Sequence, residues 1–170
     1  LLVGFGPLPV SLMQNLLSCP DDVTVVGIMS ASNLERYSLL KRHPAEIQLL
    51  RLAKENDISI LTAPSINSRE FKTELLSLAP HVMLVAGWSE IIKPPILSTN
   101  VIMINCHGSL LPRYRGACPY IATIFNGDKT TGFTFHLLDE GIDTGDILMQ
   151  QEVKVEPGET AISLERRIST

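Results

Sequence analysis

Apolar residues along this chain come in short, nearly unbroken runs, separated by stretches with helical spacing. Leu1 to Phe5 reads as a buried strand, Gly6-Pro7 as a turn and Leu8 to Ser18 as a helix. A second β-branched run spans Val23 to Met29. Ser30 to His43 is polar, with Arg36, Lys41, Arg42 and His43, and reads as a loop with some helix. Pro44 suits a first helical position, and Ile47, Leu50 and Lys54 follow at helical spacing. Ile58 to Leu61 is a short strand. Ser68 caps a helix whose stripe is Phe71, Leu75 and Leu78. Val82 to Ala86 and Val101 to Asn105 are strands, and Glu90 to Pro95 between them reads as a short helix broken by prolines. Strands that are apolar at every position and alternate with helices are covered on both faces. The fold class is therefore α/β, an open doubly wound, mostly parallel sheet. After Gly127 the pattern changes: Thr131 to Leu137 and Asp146 to Val155 read as longer strands around the loop Leu138 to Gly145. Thr160 caps a last helix with Ala161, Leu164 and Ile168 on one face.

Composition narrows the picture. At 170 residues, 45% hydrophobic and 19% charged, the chain suits one domain over residues 1–170 with a real core. A net charge of −4 excludes a strongly basic nucleic-acid module for this piece of chain. No apolar run approaches the roughly 18 residues of a membrane span, and the start is too short and lacks a basic flank for a signal peptide. Cys19, Cys106 and Cys118 are odd in number and form no CxxC pair, which fits free thiols in the reducing cytoplasm. The chain opens without Met inside a strand and stops inside a helical pattern, so it reads as a fragment of a longer one.

Gly4-Phe5-Gly6 after a strand resembles only part of a dinucleotide fingerprint. Pro9 takes the third glycine position, and Ser30-Ala31-Ser32 stands where an acidic residue belongs, so a plain tight turn is the better reading. The informative segment is Ile104 to Gly116. Asn105 and His107 lie two apart at the end of an apolar strand, so both face one side and Cys106 the other. That edge is where ligands bind in open α/β folds. The acidic loop Leu138 to Asp146 is rich in turn residues, and an Asp there could reach and orient His107. An amide, an imidazole and a carboxylate with no obvious nucleophile point to acyl transfer by direct attack. Asn105 and His107 would stabilise an oxyanion, and Asp143 would tune His107 and help move a proton. A capped strand end with a hydrogen-bonded core histidine is the plainer alternative. His136 alternates with Phe133, Phe135 and Leu137, faces away from them and reads as exposed, with a place lining the site as the alternative. His43 and His81 read as surface residues. No metal is expected, because Cys106 and His107, as strand neighbours, point oppositely.

Asn105-Cys106-His107, Ser109-Leu110-Leu111-Pro112 and Asp139-Glu140-Gly141-Ile142-Asp143-Thr144-Gly145 together resemble the signature of the 10-formyltetrahydrofolate-dependent formyltransferase family. The resemblance covers nearly the whole chain. It implies a Rossmann-like formyltransferase fold with an antiparallel C-terminal extension, Asn105, His107 and Asp143 as the catalytic trio, and 10-formyltetrahydrofolate as co-substrate. It also implies a pterin pocket at Val85 to Ile92, with Trp88, Glu90, Ile91, Ile92, Met103, Asp139 and Glu140 as candidates; core packing is the alternative for Ile91, Ile92 and Met103.

Family members formylate different amines. The run from His107 to Pro119 is most similar to methionyl-tRNA formyltransferases and sugar-nucleotide N-formyltransferases, and less so to glycinamide ribonucleotide transformylases. The expected acceptor is therefore a methionyl-tRNA-like amine. An amino-sugar nucleotide, or an aminoacyl group on a carrier protein of a peptide synthetase, is the alternative, as is hydrolysis of the donor. Ser109, Arg113, Tyr114 and Arg115 are acceptor-binding candidates, the arginines and the tyrosine for a phosphate, with a solvated loop as the competing reading.

Overall fold

The computed structural model describes residues 1–30 and 43–169, so the basic stretch with Arg36, Lys41 and Arg42 lies outside the described residues. Five strands run parallel: β1 (Leu2–Gly4), β2 (Gly27–Ser30), β3 (Ser59–Ile60), β4 (Val82–Ala86) and β5 (Ile102–His107). β6 (Thr130–Leu137) and β7 (Ile147–Lys154) join antiparallel at one edge, giving the order β3-β2-β1-β4-β5-β6-β7. This is the open doubly wound sheet with an antiparallel C-terminal extension. The winding reverses between β1 and β4, which opens a crevice beyond the carboxyl ends of the central strands.

The helices are α1 (Pro7–Leu17), α2 (Pro44–Glu55), α3 (Arg69–Leu78), α4 (Pro94–Leu97), α5 (Pro119–Phe125) and α6 (Ala161–Ile168). Alternation along the strands divides the core. Val3, Met29, Met83, Val85 and Met103 pack on one face against Phe71 and Leu75 of α3 and Ile96 of α4. Leu2 and Ile28 pack on the other against Val10 and Met13 of α1 and Leu49 and Ala53 of α2. Phe71 and Leu75 are fully buried, each contributing about 1.5–3 kcal/mol of transfer free energy. No helix among the described residues is long and apolar enough to cross a membrane.

The caps follow local chemistry. Ser68 Oγ accepts from the Phe71 N–H at 3.0 Å, and Thr160 and Ser163 form a reciprocal capping box. His43 is exposed and caps α2, its Nδ1 accepting from the Ala45 N–H at 3.3 Å. Three expectations shift. The helix expected at Glu90 to Pro95 does not form: residues 90–93 are non-helical and Pro94 begins α4, because the fixed φ of proline suits a first helical position rather than breaking a later one. β2 starts only at Gly27. β5 runs on through His107, so Asn105 and His107 are both held by the ladder.

Candidate active site

Asn105 and His107 lie opposite His136 and Thr134 across the β5–β6 ladder. Directly opposed residues point to the same side of a sheet, so these four polar side chains share one face. Asn105 Nδ2 is 3.2 Å from His136 Nε2. His136 is fully buried, which corrects the expectation of an exposed histidine. His136 does face away from Phe133 and Phe135, as the period of two along β6 requires. The apolar set is instead the half-exposed side, with Phe133 and Phe135 in edge contact at 5.8 Å, and the polar set is covered by the acidic loop.

Each residue of that loop has a local task. Asp139 Oδ1 accepts from the Gly141 N–H at 3.0 Å and the Thr144 hydroxyl at 2.7 Å, closing the turn. A side chain at Gly141 would strike Thr144, and one at Gly145 would strike the Leu137 carbonyl. So folded, the loop returns over β5 and delivers Asp143 on left-handed backbone, φ 51°.

Asp143 is the hub of the site. Its Oδ2 accepts from the Gly116 N–H at 2.7 Å and lies 3.5 Å from His107 Nδ1. Its Oδ1 lies 3.3 Å from Asn105 Nδ2 and 3.4 Å from His136 Nε2. Burial alone would raise its pKa, but the hydrogen bonds from His136 and Gly116 and the charges of His107 and His136 hold it below the ordinary carboxylate value. His136 is the mirror case: burial disfavours its protonation, yet Asp143, the Leu137 carbonyl and the charge of Asp139 hold its pKa above that of an ordinary imidazole.

The loop after β5 fixes the other side of His107. His107 Nε2 lies 2.8 Å from the Tyr114 carbonyl. A carbonyl only accepts, so Nε2 carries a proton and Nδ1 faces Asp143. Ser109 donates to the Arg113 carbonyl at 2.6 Å. Thr134 Oγ1 donates to the Ser109 carbonyl at 2.6 Å and accepts from the Leu111 N–H at 3.1 Å and from Gln150 at 3.0 Å. Gly108 has no room for a Cβ because the Tyr120 ring lies against it. Sequence reasoning did not single out Thr134, Gln150 or Tyr120 as supports, since none belongs to a motif.

A cavity of about 690 Å³ surrounds the trio. One wall, on the α3/α4 face, comes from Val85, Trp88, Ile91, Ile92 and Leu138; the other comes from Phe5 and Leu8 at the start of α1, Tyr120 and Ile121 of α5, and Ile162 and Glu165 of α6. Trp88, Glu90, Ile91, Ile92 and Asp139 line it. Glu90 braces its wall, accepting from the Ser65 hydroxyl at 3.1 Å and the Ile66 N–H at 2.9 Å. Met103 sits in the core behind Asn105, and Glu140 is exposed beside the cavity without lining it. Of the acceptor candidates, Ser109 is fully buried with its hydroxyl engaged. Arg113 and Tyr114 are tied to Asp128 at 2.9 and 2.6 Å and do not line the cavity. Arg115 Nε donates to the Asp143 carbonyl at 2.9 Å, holding the acidic loop in place.

The Cys106 thiol, between Asn105 and His107 in sequence, is not an activated nucleophile. Burial pushes the Cys106 thiol up to about 12, so it stays protonated.

The chain is similar to known proteins over most of its length. The family model described as formyl transferase matches residues 8–170. The chain is 34% identical over 149 residues to a methionyl-tRNA formyltransferase of Halothermothrix orenii, covering 87% of this chain and 46% of that one. It is 38% identical over 126 residues to the methionyl-tRNA formyltransferase of a Nitratiruptor species, covering 74% and 41%. It thus spans about half the length of such relatives or less. Among solved structures, glycinamide ribonucleotide transformylase 1 from Symbiobacterium toebii superposes with a TM-score of 0.78 at 24% identity, over 99% of this chain and 78% of that one. A sugar N-formyltransferase from a Shewanella species gives a TM-score of 0.69 at 25% identity, over 99% and 62%.

Proposed function

The chain belongs to the formyl transferase family, and from that premise we propose that it moves a formyl group from 10-formyltetrahydrofolate to the primary amine of an acceptor. The observation that carries this is the meeting of Asn105 and His107 on one carboxylate, Asp143, at 3.3 and 3.5 Å at the mouth of the sheet, with the neighbouring thiol held protonated. The attacking group then belongs to the acceptor. Its nitrogen bonds to the formyl carbon, and the carbonyl oxygen takes up negative charge beside the Asn105 N–H and the His107 imidazole. Collapse breaks the bond to the donor nitrogen, and the proton shed by the acceptor is drawn through water at Asp143 and relayed to that departing nitrogen.

The α3/α4-side wall fits a flat, polar-edged donor. It is mostly apolar, with Glu90 at its edge, and the buried Trp88 Nε1–H has no hydrogen-bond partner there, which leaves a donor in the wall unsatisfied.

The opposite wall favours an acceptor with an apolar group beside its amine. Phe5, Leu8, Tyr120, Ile121 and Ile162 line it, Glu165 is its carboxylate, and among the described residues no Lys or Arg lines the cavity. α1 opens Pro7-Leu8-Pro9, so two of its first three positions lack an N–H. A phosphate close to the reacting amine has little to hold it. An aminoacyl α-amine such as that of methionyl-tRNA, the acceptor in the names of the relatives most like it in sequence, fits better than a small phosphorylated amine. The experiment is a panel: methionyl-tRNA, an amino-sugar nucleotide and glycinamide ribonucleotide, each with 10-formyltetrahydrofolate. Formyl transfer to methionyl-tRNA with little to the other two is expected. Formate release without transfer to any amine would replace transfer by hydrolysis.

A further inference from the structure

Outside the trio, the fully buried His136 has a hydrogen-bond neighbour on each ring nitrogen. We propose that His136 is a positioning residue: it holds the Asn105 carboxamide with its N–H end toward the reacting carbonyl. This rests on the formyl-transfer reading.

The argument starts from which atoms can donate. His136 Nδ1 lies 2.8 Å from the Leu137 carbonyl, which only accepts, so Nδ1 carries the proton. In the neutral ring Nε2 is then an acceptor, and it sits 3.2 Å from Asn105 Nδ2. A carboxamide has two ends of equal size, so its orientation is decided by its neighbours. Here the neighbours of Nδ2 are two acceptors, His136 Nε2 and Asp143 Oδ1 at 3.3 Å. An oxygen in that place would face lone pairs from both; of the two N–H groups on Nδ2, one goes to His136, and the other, on the longer contact to Asp143, is the one that turns to a developing oxyanion. Of the two acceptors, His136 Nε2 is the nearer, and Asp143 Oδ1 is shared with His136 at 3.4 Å rather than reserved for the amide. With His136 removed, the carboxamide can turn over and present its oxygen to a developing oxyanion, which repels it.

The same geometry has a charged form. The groups facing His136 are Asp143, Asn105 and the Leu137 carbonyl, with the charge of Asp139 nearby and His107 on the far side of Asp143. A protonated His136 donates to Asp143 and no longer accepts from Asn105. Acid therefore releases the carboxamide.

The test compares wild type, His136→Ala and His136→Gln for kcat, donor KM and pH profile. Gln retains an oxygen that can accept from Asn105. The Ala variant is expected to lose about 10- to 100-fold in kcat, the scale of a small misplacement, with donor KM nearly unchanged. The Gln variant is expected to recover a substantial part of that loss and to lack the wild-type acid limb attributable to His136. Nitrogen NMR of the wild-type ring above its pKa is expected to give a protonated Nδ1 and a bare Nε2. This readout needs neither activity nor a folded Ala variant. Equal kcat in active wild type and both variants, a Gln variant as slow as Ala, or a ring protonated at Nε2 would each overturn the role. A wild type that transfers no formyl group to any amine would instead sink the reading beneath it.

Discussion

Replacing Asp143 by Asn changes almost no volume but removes the charge at the centre of the site. One end of the new amide can still accept from the Gly116 N–H, so the loop keeps its 2.7 Å anchor. The other end becomes a donor facing Asn105 Nδ2, now an N–H pair pointing at an N–H pair, at a distance of 3.3 Å in the native site. The substitution removes a charge 3.5 Å from His107 Nδ1, a distance at which a unit charge pair is worth about 5 kcal/mol at an effective dielectric constant near 20. Reorientation, water and His136 recover part of it. Loss of a positioned proton acceptor costs about 10²- to 10⁴-fold, and that is the expected fall in kcat, with donor KM changed much less. The assay is single-turnover formyl transfer with donor in excess, beside a thermal melt to verify folding. The direction of the Asp143 shift sets the pH behaviour. With its pKa below the ordinary carboxylate value, Asp143 stays ionised throughout the neutral range and its contribution is lost only as pH falls through that lowered value. Wild type should therefore show no limb from Asp143 near neutrality. A folded Asn variant within threefold of wild type would refute the role of the charge.

Other outcomes follow from the same contacts. His136 has a raised pKa, so its contribution to folding is complete below the ordinary imidazole value and fades as pH rises through the folded one; melts of wild type against His136→Gln should converge above that point. Thr134→Val removes a buried hydroxyl serving Ser109, Leu111 and Gln150 and should destabilise by about 2–4 kcal/mol in denaturant unfolding. Gly108→Ala drives a methyl into the Tyr120 ring and should lower stability by about 1–3 kcal/mol and transfer rate with it. An unchanged melt would show that Tyr120 yields.

Much of this was legible before any coordinates. β4 was bounded correctly because an unbroken apolar run ends at Gly87, and Ser68 and Thr160 announced their helices by side chains that cap. The shared face of Asn105 and His107 follows from strand period alone. His136 was misjudged because period two says which residues share a side, not which side is covered; only the fold-back of the acidic loop decides that. Phe5, Leu8, Ile162 and Glu165 were not foreseen because they meet where α1 and α6 pack, a contact set by topology and not by any local pattern. Arg113 looked like a phosphate contact because Asp128, which holds it, lies fifteen residues on in another loop.

The most direct test of the account is formation of N-formylmethionyl-tRNA from 10-formyltetrahydrofolate by the protein and by its Asn105→Ala, His107→Ala and Asp143→Ala variants. The account predicts product with wild type and a loss of about a hundredfold or more in each variant that still folds. Folded variants all running at the wild-type rate would contradict it.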